Sequence, residues 1–237
     1  MKPGVPKNQH NLRILMRRCL PSKIFNRLRE IGELADAMDA SAYLVGGLVR
    51  DLLLGHTNLD MDIAVEGNGM TFARRVADQY GAGLKVFDRF ATALVVFPDG
   101  FKLDVATARR ESYAHPTALP TVKPSSIKDD LYRRDFTINT LAIRLNASHF
   151  GELVDFYGGQ HDLERKVIRV LHAHSFVDDP TRVFRAIRFE QRFGFHIEKR
   201  ALTLLKEAAA SDLVRRLSSP RLRNEVMRLL SEQDPTR

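Results

Sequence analysis

Two aspartates separated by one residue, Asp60 and Asp62, are the side chains of this sequence best suited to chemistry. They interrupt an apolar run with the alternation of a half-buried strand, so we expect both on one face, roughly 6.6 Å apart. Charge in such a strand is costly unless a cation compensates it. Asp104, on a later strand-like run, would complete a three-carboxylate site if the two strands are neighbours. This pattern predicts two bound divalent metal ions and a phosphoryl or nucleotidyl transfer reaction.

Two glycines precede these aspartates and predict a place for phosphate. Gly46 and Gly47 follow a strand-like run and open a helix-like segment, with Arg50 in about its first turn. Glycine lets the backbone turn tightly and approach a ligand closely. The N-terminus of a helix attracts anions because its N–H groups are unpaired.

The elements that must position these residues follow from the hydrophobic pattern. Ser22 is predicted to cap a long helix, and Pro98-Asp99-Gly100 to join the hairpin that carries Asp104. The basic segment 107–127 predicts an irregular, lid-like loop, and only helical signals follow Val167. The predicted helices cover 22–40, 48–54 and 71–80, and the predicted strands cover 42–45, 60–65, 84–87, 91–97 and 101–106.

Composition narrows the class of partner. The 237-residue chain has a formal net charge of +8, although its candidate site is acidic. A basic body around carboxylates suits an enzyme that acts on a polyanion, so we predict a nucleic-acid partner. Cys19 is the sole cysteine, which excludes an internal disulfide and a thiolate zinc site. No apolar stretch approaches a membrane span or a signal peptide, so we predict a cytoplasmic location and no membrane partner.

Three motifs in order give the sequence a family resemblance. They are Gly46-Gly47-Leu-Val-Arg50-Asp51 with Asp60-Met-Asp62, then Arg133-Arg134-Asp135-Phe-Thr-Ile-Asn139, and then Asp178-Asp179-Pro-Thr-Arg182. From about residue 40 to 200, the chain resembles the class II tRNA nucleotidyltransferases and bacterial poly(A) polymerases of the polymerase β superfamily. Asp178 departs from the family, which often has Glu at this position.

The resemblance implies a role for each matching residue. The catalytic residues and metal ligands would be Asp60, Asp62 and Asp104, holding two Mg²⁺ ions, for which Mn²⁺ is the expected substitute. Asp104 would also help to activate the RNA 3′-hydroxyl. The nucleotide-binding residues would be Gly46, Gly47 and Arg50 at the triphosphate of ATP, and Arg134, Asp135 and Asn139 at the sugar.

Asp179 and Arg182 are three residues apart at the start of a predicted helix, so their side chains share a face. The resemblance implies that this pair reads the Watson–Crick edge of the incoming base in place of a template strand. By itself the spacing also fits an ordinary salt bridge at a helix start. Three further basic residues are predicted to bind RNA: Arg109, Arg185 and Arg188.

The resemblance also implies the fold: an α+β chain with a polymerase β-type nucleotidyltransferase head built on a mixed β-sheet, followed by an all-α neck. We expect a linker or arm at 1–21, the catalytic head at 22–167, and a neck for nucleotide recognition and RNA binding at 168–237. Family members usually continue into further helical domains, so the chain is compatible with a catalytic-core fragment.

Segments 184–195 and 119–122 are closest to A-adding enzymes within the family. We therefore expect template-independent addition of AMP from ATP to the 3′ end of tRNA, with release of pyrophosphate. Poly(A) polymerase and full CCA addition share the same catalytic residues and stay open. A non-catalytic RNA-binding module stays open as an alternative from another class, and the sequence leaves the oligomeric state undecided.

Overall fold

The computed structural model describes residues 11–56, 58–115, 117, 120–232 and 234. They form two compact units. The first consists of the described residues up to 110 together with 122–132 and 139–156, and the second of those in 111–121, 133–138 and from 157 onward. No helix within these ranges is long and apolar enough to span a bilayer.

A seven-stranded sheet organises the first unit. In chain order, the first nine strands of the described residues are β1 (Ser41–Val45), β2 (Met61–Glu66), β3 (Gly83–Phe87), β4 (Thr92–Val96), β5 (Lys102–Thr107), β6 (Arg109–Ser112), β7 (Thr121–Pro124), β8 (Ala142–Arg144) and β9 (Leu153–Val154). The order across the sheet is β3-β4-β5-β2-β1-β8-β9, while β6 and β7 pair separately. Strands β2 and β5 are parallel and the other neighbours antiparallel, which confirms the predicted mixed sheet.

Helices cover this sheet because each has one apolar face. They are α1 (Arg13–Cys19), α2 (Ser22–Ala37), α3 (Gly47–Leu54), α4 (Gly69–Tyr80) and α5 (Ile127–Tyr132). Gly32 lets α2 approach the backbone closely, since a Cβ there would lie 1.8 Å from the carbonyl oxygen of Leu145. The side chain of Asn68 caps α4 by accepting a 3.0 Å hydrogen bond from the Thr71 N–H.

The second unit is mainly helical. Its elements are α6 (Gly159–Glu164), β10 (Val167–Ile168), α7 (Ser175–Asp178), α8 (Thr181–Phe193), β11 (His196–Ile197), α9 (Lys199–Ala210) and α10 (Ser219–Leu230). Phe136 and Phe189 meet edge to face in its core, with ring centroids 6.0 Å apart.

Three sequence predictions about elements were wrong in detail. Ser22 is the first residue of α2 and Pro21 occupies the cap position without a side-chain hydrogen bond, and the helix ends at Ala37. The segment predicted as a loop contains β6 and β7. Its prolines allow this, because Pro120 precedes β7 and Pro124 is the last residue of β7, where a missing N–H costs little. The expectation of helices alone after Val167 missed the parallel pair β10 and β11.

Candidate active site

Asp62 and Asp104 lie side by side on the sheet. They are register partners across the parallel strands β2 and β5. Their strand neighbours on the other face, among them Ile63 and Val105, are buried, whereas both aspartates are exposed. Strand alternation thus places the two carboxylates together on the solvent face, as the sequence predicts.

Asp60 completes the acidic surface from just outside the strand. Its backbone N–H donates a 2.8 Å hydrogen bond to the side-chain oxygen of Asn58, so it belongs to a turn and not to the ladder of β2. The pKa of Asp104 is raised, first because the surrounding protein partly shields its carboxylate from water and then by the negative charge of Asp60. The negative charge of Asp60 therefore acts on the carboxylate of Asp104.

The three carboxylates fit a hard cation by donor type, since Mg²⁺ prefers oxygen ligands. Across the described ranges, no three His, Cys, Asp or Glu side chains stand close enough to hold a metal ion by themselves. The carboxylates therefore form an acidic surface, and their assignment as metal ligands stays a prediction. Oxygens of a bound phosphate would have to complete the ligand set.

The glycine turn lies at the start of α3. Gly46 has a φ of 81°, which favours glycine, and occupies the cap position of the helix. The guanidinium of Arg50 lies close beneath this turn, since a Cβ on Gly47 would be 3.4 Å from Arg50 Nη2. The turn and the positive charge therefore occur together, as a triphosphate site requires.

Arg50 is 4% exposed and engaged with protein groups. Its Nε donates to Asp51 Oδ1 at 2.8 Å, and its Nη1 donates to Asn139 Oδ1 at 2.7 Å. Asn58 Nδ2 donates to the other oxygen of Asp51 at 2.7 Å. Through Asn58, this buried network reaches the turn that contains Asp60.

In the second unit, Asp135 is buried and forms an ion pair with Arg185. The Nε of Arg185 donates to Asp135 Oδ2 at 2.8 Å, and this carboxylate raises the pKa of Arg185. Arg134 is half-buried beside them in sequence. Arg185, predicted to bind RNA, is thus already paired with a residue predicted to bind the sugar.

Asp179 and Arg182 form no ion pair with each other within the described part of the chain. Arg182 is 5% exposed and donates to Ser175 Oγ and to the Arg133 carbonyl, both at 2.7 Å. Asp179 accepts instead from Arg221 Nη2, also at 2.7 Å. The salt-bridge alternative for this pair is therefore wrong.

The other two arginines predicted to bind RNA have protein partners. Arg109 donates from Nη1 to the Phe90 carbonyl. Arg188 is 7% exposed, lies 4.0 Å from Glu225 and 3.8 Å from Glu232, and has a pKa lowered by burial. Its burial does not favour a direct contact with RNA, and both assignments stay predictions.

Sequence reasoning gave no role to four residues that hold the predicted ones, although Asp51 and Thr181 stand inside the quoted motifs. The four are Asp51, Asn58, Thr181 and Arg221. Asn58 could have been found, because Asn two residues before an aspartate often forms this kind of turn. The contact between Arg221 and Asp179 could not have been predicted, because the two residues are 42 positions apart in the sequence.

A mixed sheet with paired carboxylates on adjacent strands and a glycine turn before a helix defines a head of the polymerase β type. The chain belongs to the poly A polymerase head domain family, whose model matches residues 42–169.

Three comparisons agree with that membership. The chain is 51% identical over 234 residues to an A-adding tRNA nucleotidyltransferase of Geobacter sulfurreducens, covering 99% of this chain and 27% of that protein. It is 42% identical to the enzyme of that name from Halalkalibacterium halodurans, covering 95% of this chain and 53% of the relative. A solved CCA-adding enzyme of Thermotoga maritima complexed with tRNA superposes with a TM-score of 0.86 at 46% identity, covering 95% of this chain and 51% of that one. The chain thus spans between a quarter and about half of the length of these relatives.

Proposed function

We propose that the chain is a template-independent nucleotidyltransferase that adds AMP from ATP to the 3′ end of tRNA. The observation that carries this proposal is the register of Asp62 against Asp104, next to Asp60 and in the same unit as the glycine turn. The relatives named A-adding enzymes support the choice of AMP and tRNA. We further propose a cytoplasmic location, a head at 22–167 and a helical neck at 168–237 that recognises the nucleotide and the RNA.

The reaction forms a bond between the RNA 3′-oxygen and the α-phosphorus of ATP and breaks the bond from that phosphorus to the bridging oxygen. Asp104 would take the proton of the 3′-hydroxyl, a role that suits a carboxylate with a raised pKa. Pyrophosphate leaves with the electron pair of the broken bond. The glycine turn would seat the triphosphate, while Arg50 would supply positive charge beneath it.

Two Mg²⁺ ions, with Mn²⁺ as a substitute, would be held by Asp60, Asp62 and Asp104. When bound, such ions neutralise the charge of the phosphates and make the 3′-hydroxyl more acidic. The residues present fit this role by their oxygen donors and shared face. Asp135 with Arg134 would contact the ribose, and Asp179 with Arg182 would read the base.

The test incubates the chain with Mg²⁺, one α-labelled nucleoside triphosphate at a time, and tRNA ending in C, CC or CCA. We expect a single labelled nucleotide from ATP on the CC end and none from Asp62→Asn. Asp78→Asn, an exposed change on α4, is the matched control and should transfer normally. Absence of labelling by the unmodified chain would refute the proposal.

The same experiment separates the alternatives. Incorporation from CTP would indicate full CCA addition, and a long ladder from ATP would indicate a poly(A) polymerase. Tight RNA binding that is unaffected by Asp60→Ala, with no turnover, would indicate a non-catalytic RNA-binding module.

A further inference from the structure

The carboxylate of Asp179 is held through one of its two oxygens. Oδ1 accepts from the Thr181 N–H at 3.0 Å, the Thr181 hydroxyl at 2.6 Å and Arg221 Nη2 at 2.7 Å. Oδ2 accepts no hydrogen bond from any described residue, and the side chain is 24% exposed. The carboxylate is therefore fixed in orientation with one acceptor open.

Arg221 is itself anchored, so it can fix its partner. Its Nη1 donates to the Thr117 carbonyl at 3.1 Å while its Nη2 binds Asp179. A guanidinium presents its donors in a planar fork, and two contacts therefore determine its orientation. The arginine is 25% exposed, so solvent weakens the ion pair only in part.

The side chains of Asp179 and Arg182 are supported separately, although the Arg182 N–H donates to the Asp179 carbonyl at 3.1 Å. The guanidinium of Arg182 uses Nη1 and Nη2 on Ser175 and Arg133, and neither contact involves the carboxylate of Asp179, Thr181 or Arg221. A change at Thr181 or Arg221 can therefore disturb the Asp179 acceptor while the donors of Arg182 keep their own partners.

We propose that Thr181 and Arg221 are positioning residues for base selection, which fix Asp179 so that Oδ2 accepts from the exocyclic amino group of the incoming base. This inference rests on the proposed function. A carboxylate only accepts hydrogen bonds. At its Watson–Crick edge, adenine offers an amino donor where guanine offers a carbonyl oxygen. Because Asp179 is held rigid, a base with a carbonyl would place an oxygen against the carboxylate with no hydrogen between them, and sites built to bind a donor discriminate against such a base. Cytosine also carries an amino group, so this contact separates amino bases from carbonyl bases and not A from C.

The test compares ATP with inosine triphosphate, which replaces the amino group by a carbonyl oxygen. The variants are Thr181→Val, which removes the hydroxyl at nearly constant volume, and Arg221→Met. We expect the unmodified chain to favour ATP in kcat/KM by about 100-fold or more. Each variant should lower that ratio about tenfold, as expected for the loss of one charge-assisted hydrogen bond.

Two controls separate positioning from general damage. Thr181→Ser keeps the hydroxyl and should retain the ratio of the unmodified chain. Arg215→Met removes an exposed arginine of the same unit, whose partner Asp212 is at 3.6 Å, and should also leave the ratio unchanged. Thermal melts of all variants, followed by circular dichroism, identify any that fail to fold.

Equilibrium binding of ATP, inosine triphosphate and purine riboside triphosphate is measured in parallel, because binding needs no turnover. If the unmodified chain transfers AMP and neither variant changes the ratio, this inference fails while the proposed function stands. If the unmodified chain transfers nothing, the proposed function fails, and equal binding of ATP and inosine triphosphate then refutes the inference as well. Tighter ATP binding by Arg221→Met would show that Arg221 competes with the base for Asp179, which also overturns the inference.

Discussion

Arg50 and Asn139 lie 89 positions apart in the sequence and share a 2.7 Å hydrogen bond from Arg50 Nη1 to Asn139 Oδ1. The two residues are 4% and 6% exposed. The contact ties the helix after the glycine turn to the end of the second sequence motif. It gives Asn139 a role that needs no ligand, namely to satisfy a buried guanidinium.

Asn139→Ala should lower the free energy of unfolding by about 2–3 kcal/mol, because it leaves a charged donor buried without this acceptor. Urea denaturation measures the change. Asn26→Ala, an exposed position on α2, is the control and should change stability by less than about 0.5 kcal/mol. Equal effects of the two substitutions would contradict the buried network.

Arg27 and Lys23 share the carboxylate of Asp99 but differ in burial. Their side chains are 9% and 66% exposed, and Arg27 also lies 4.0 Å from the ring centroid of Phe97. Arg27→Met should destabilise by about 2 kcal/mol, the size of a desolvated cation–π contact. Lys23→Met should cost less than about 0.5 kcal/mol, as exposed pairs do. Chemical denaturation of both variants checks the order, and a larger loss from Lys23→Met would refute it.

The pKa of His172 is lowered, first by burial and then by the positive charge of Arg182. In the unfolded chain, the imidazole of His172 has its ordinary pKa of about 6.5, so it binds a proton more readily there than in the folded state. The contribution of His172 to the free energy of unfolding is therefore fully present above about pH 6.5, and it is lost as the pH falls below that value. His172→Gln should flatten this fall in denaturation curves between pH 8 and 5. His149→Gln, at an exposed position, should leave the slope unchanged.

Asp104→Asn should reduce AMP transfer at least about 100-fold, the usual contribution of a proton-transfer group. It should not reduce stability in metal-free buffer, because the raised pKa of Asp104 means that its charged form is disfavoured in the folded chain. MgCl₂ should raise the Tm of the unmodified chain and of Asp78→Asn, but much less that of Asp104→Asn. An equal rise in all three would remove Asp104 from the metal site.

The period-2 pattern and the Pro98-Asp99-Gly100 turn were sufficient to predict β2, β4, β5 and the hairpin carrying Asp104. They could not give the register of β2 against β5, because parallel strands are joined by a long crossover whose geometry depends on packing. Strands β10 and β11 have two residues each, which is too short for a periodic signal.

The burial of arginines was the main feature of the candidate site that the sequence did not predict. Arg50 and Arg188 look like surface cations in the sequence, because arginine is rarely buried without a partner. Their partners Asn139 and Glu225 are distant along the chain. Only the folded chain brings these groups together, so neither burial nor pairing follows from local pattern.

The side-by-side placement of Asp62 and Asp104 makes the length of the β4–β5 connection critical. Insertion or deletion of one residue between the turn and Asp104 would rotate this aspartate into the layer filled by Leu103 and Val105. A two-residue insertion would restore its face but displace it along the strand by roughly 6.6 Å. Such a two-residue change should disturb catalysis more than folding. We therefore expect homologues that differ in length between β4 and Asp104 to keep the fold but to lack the activity.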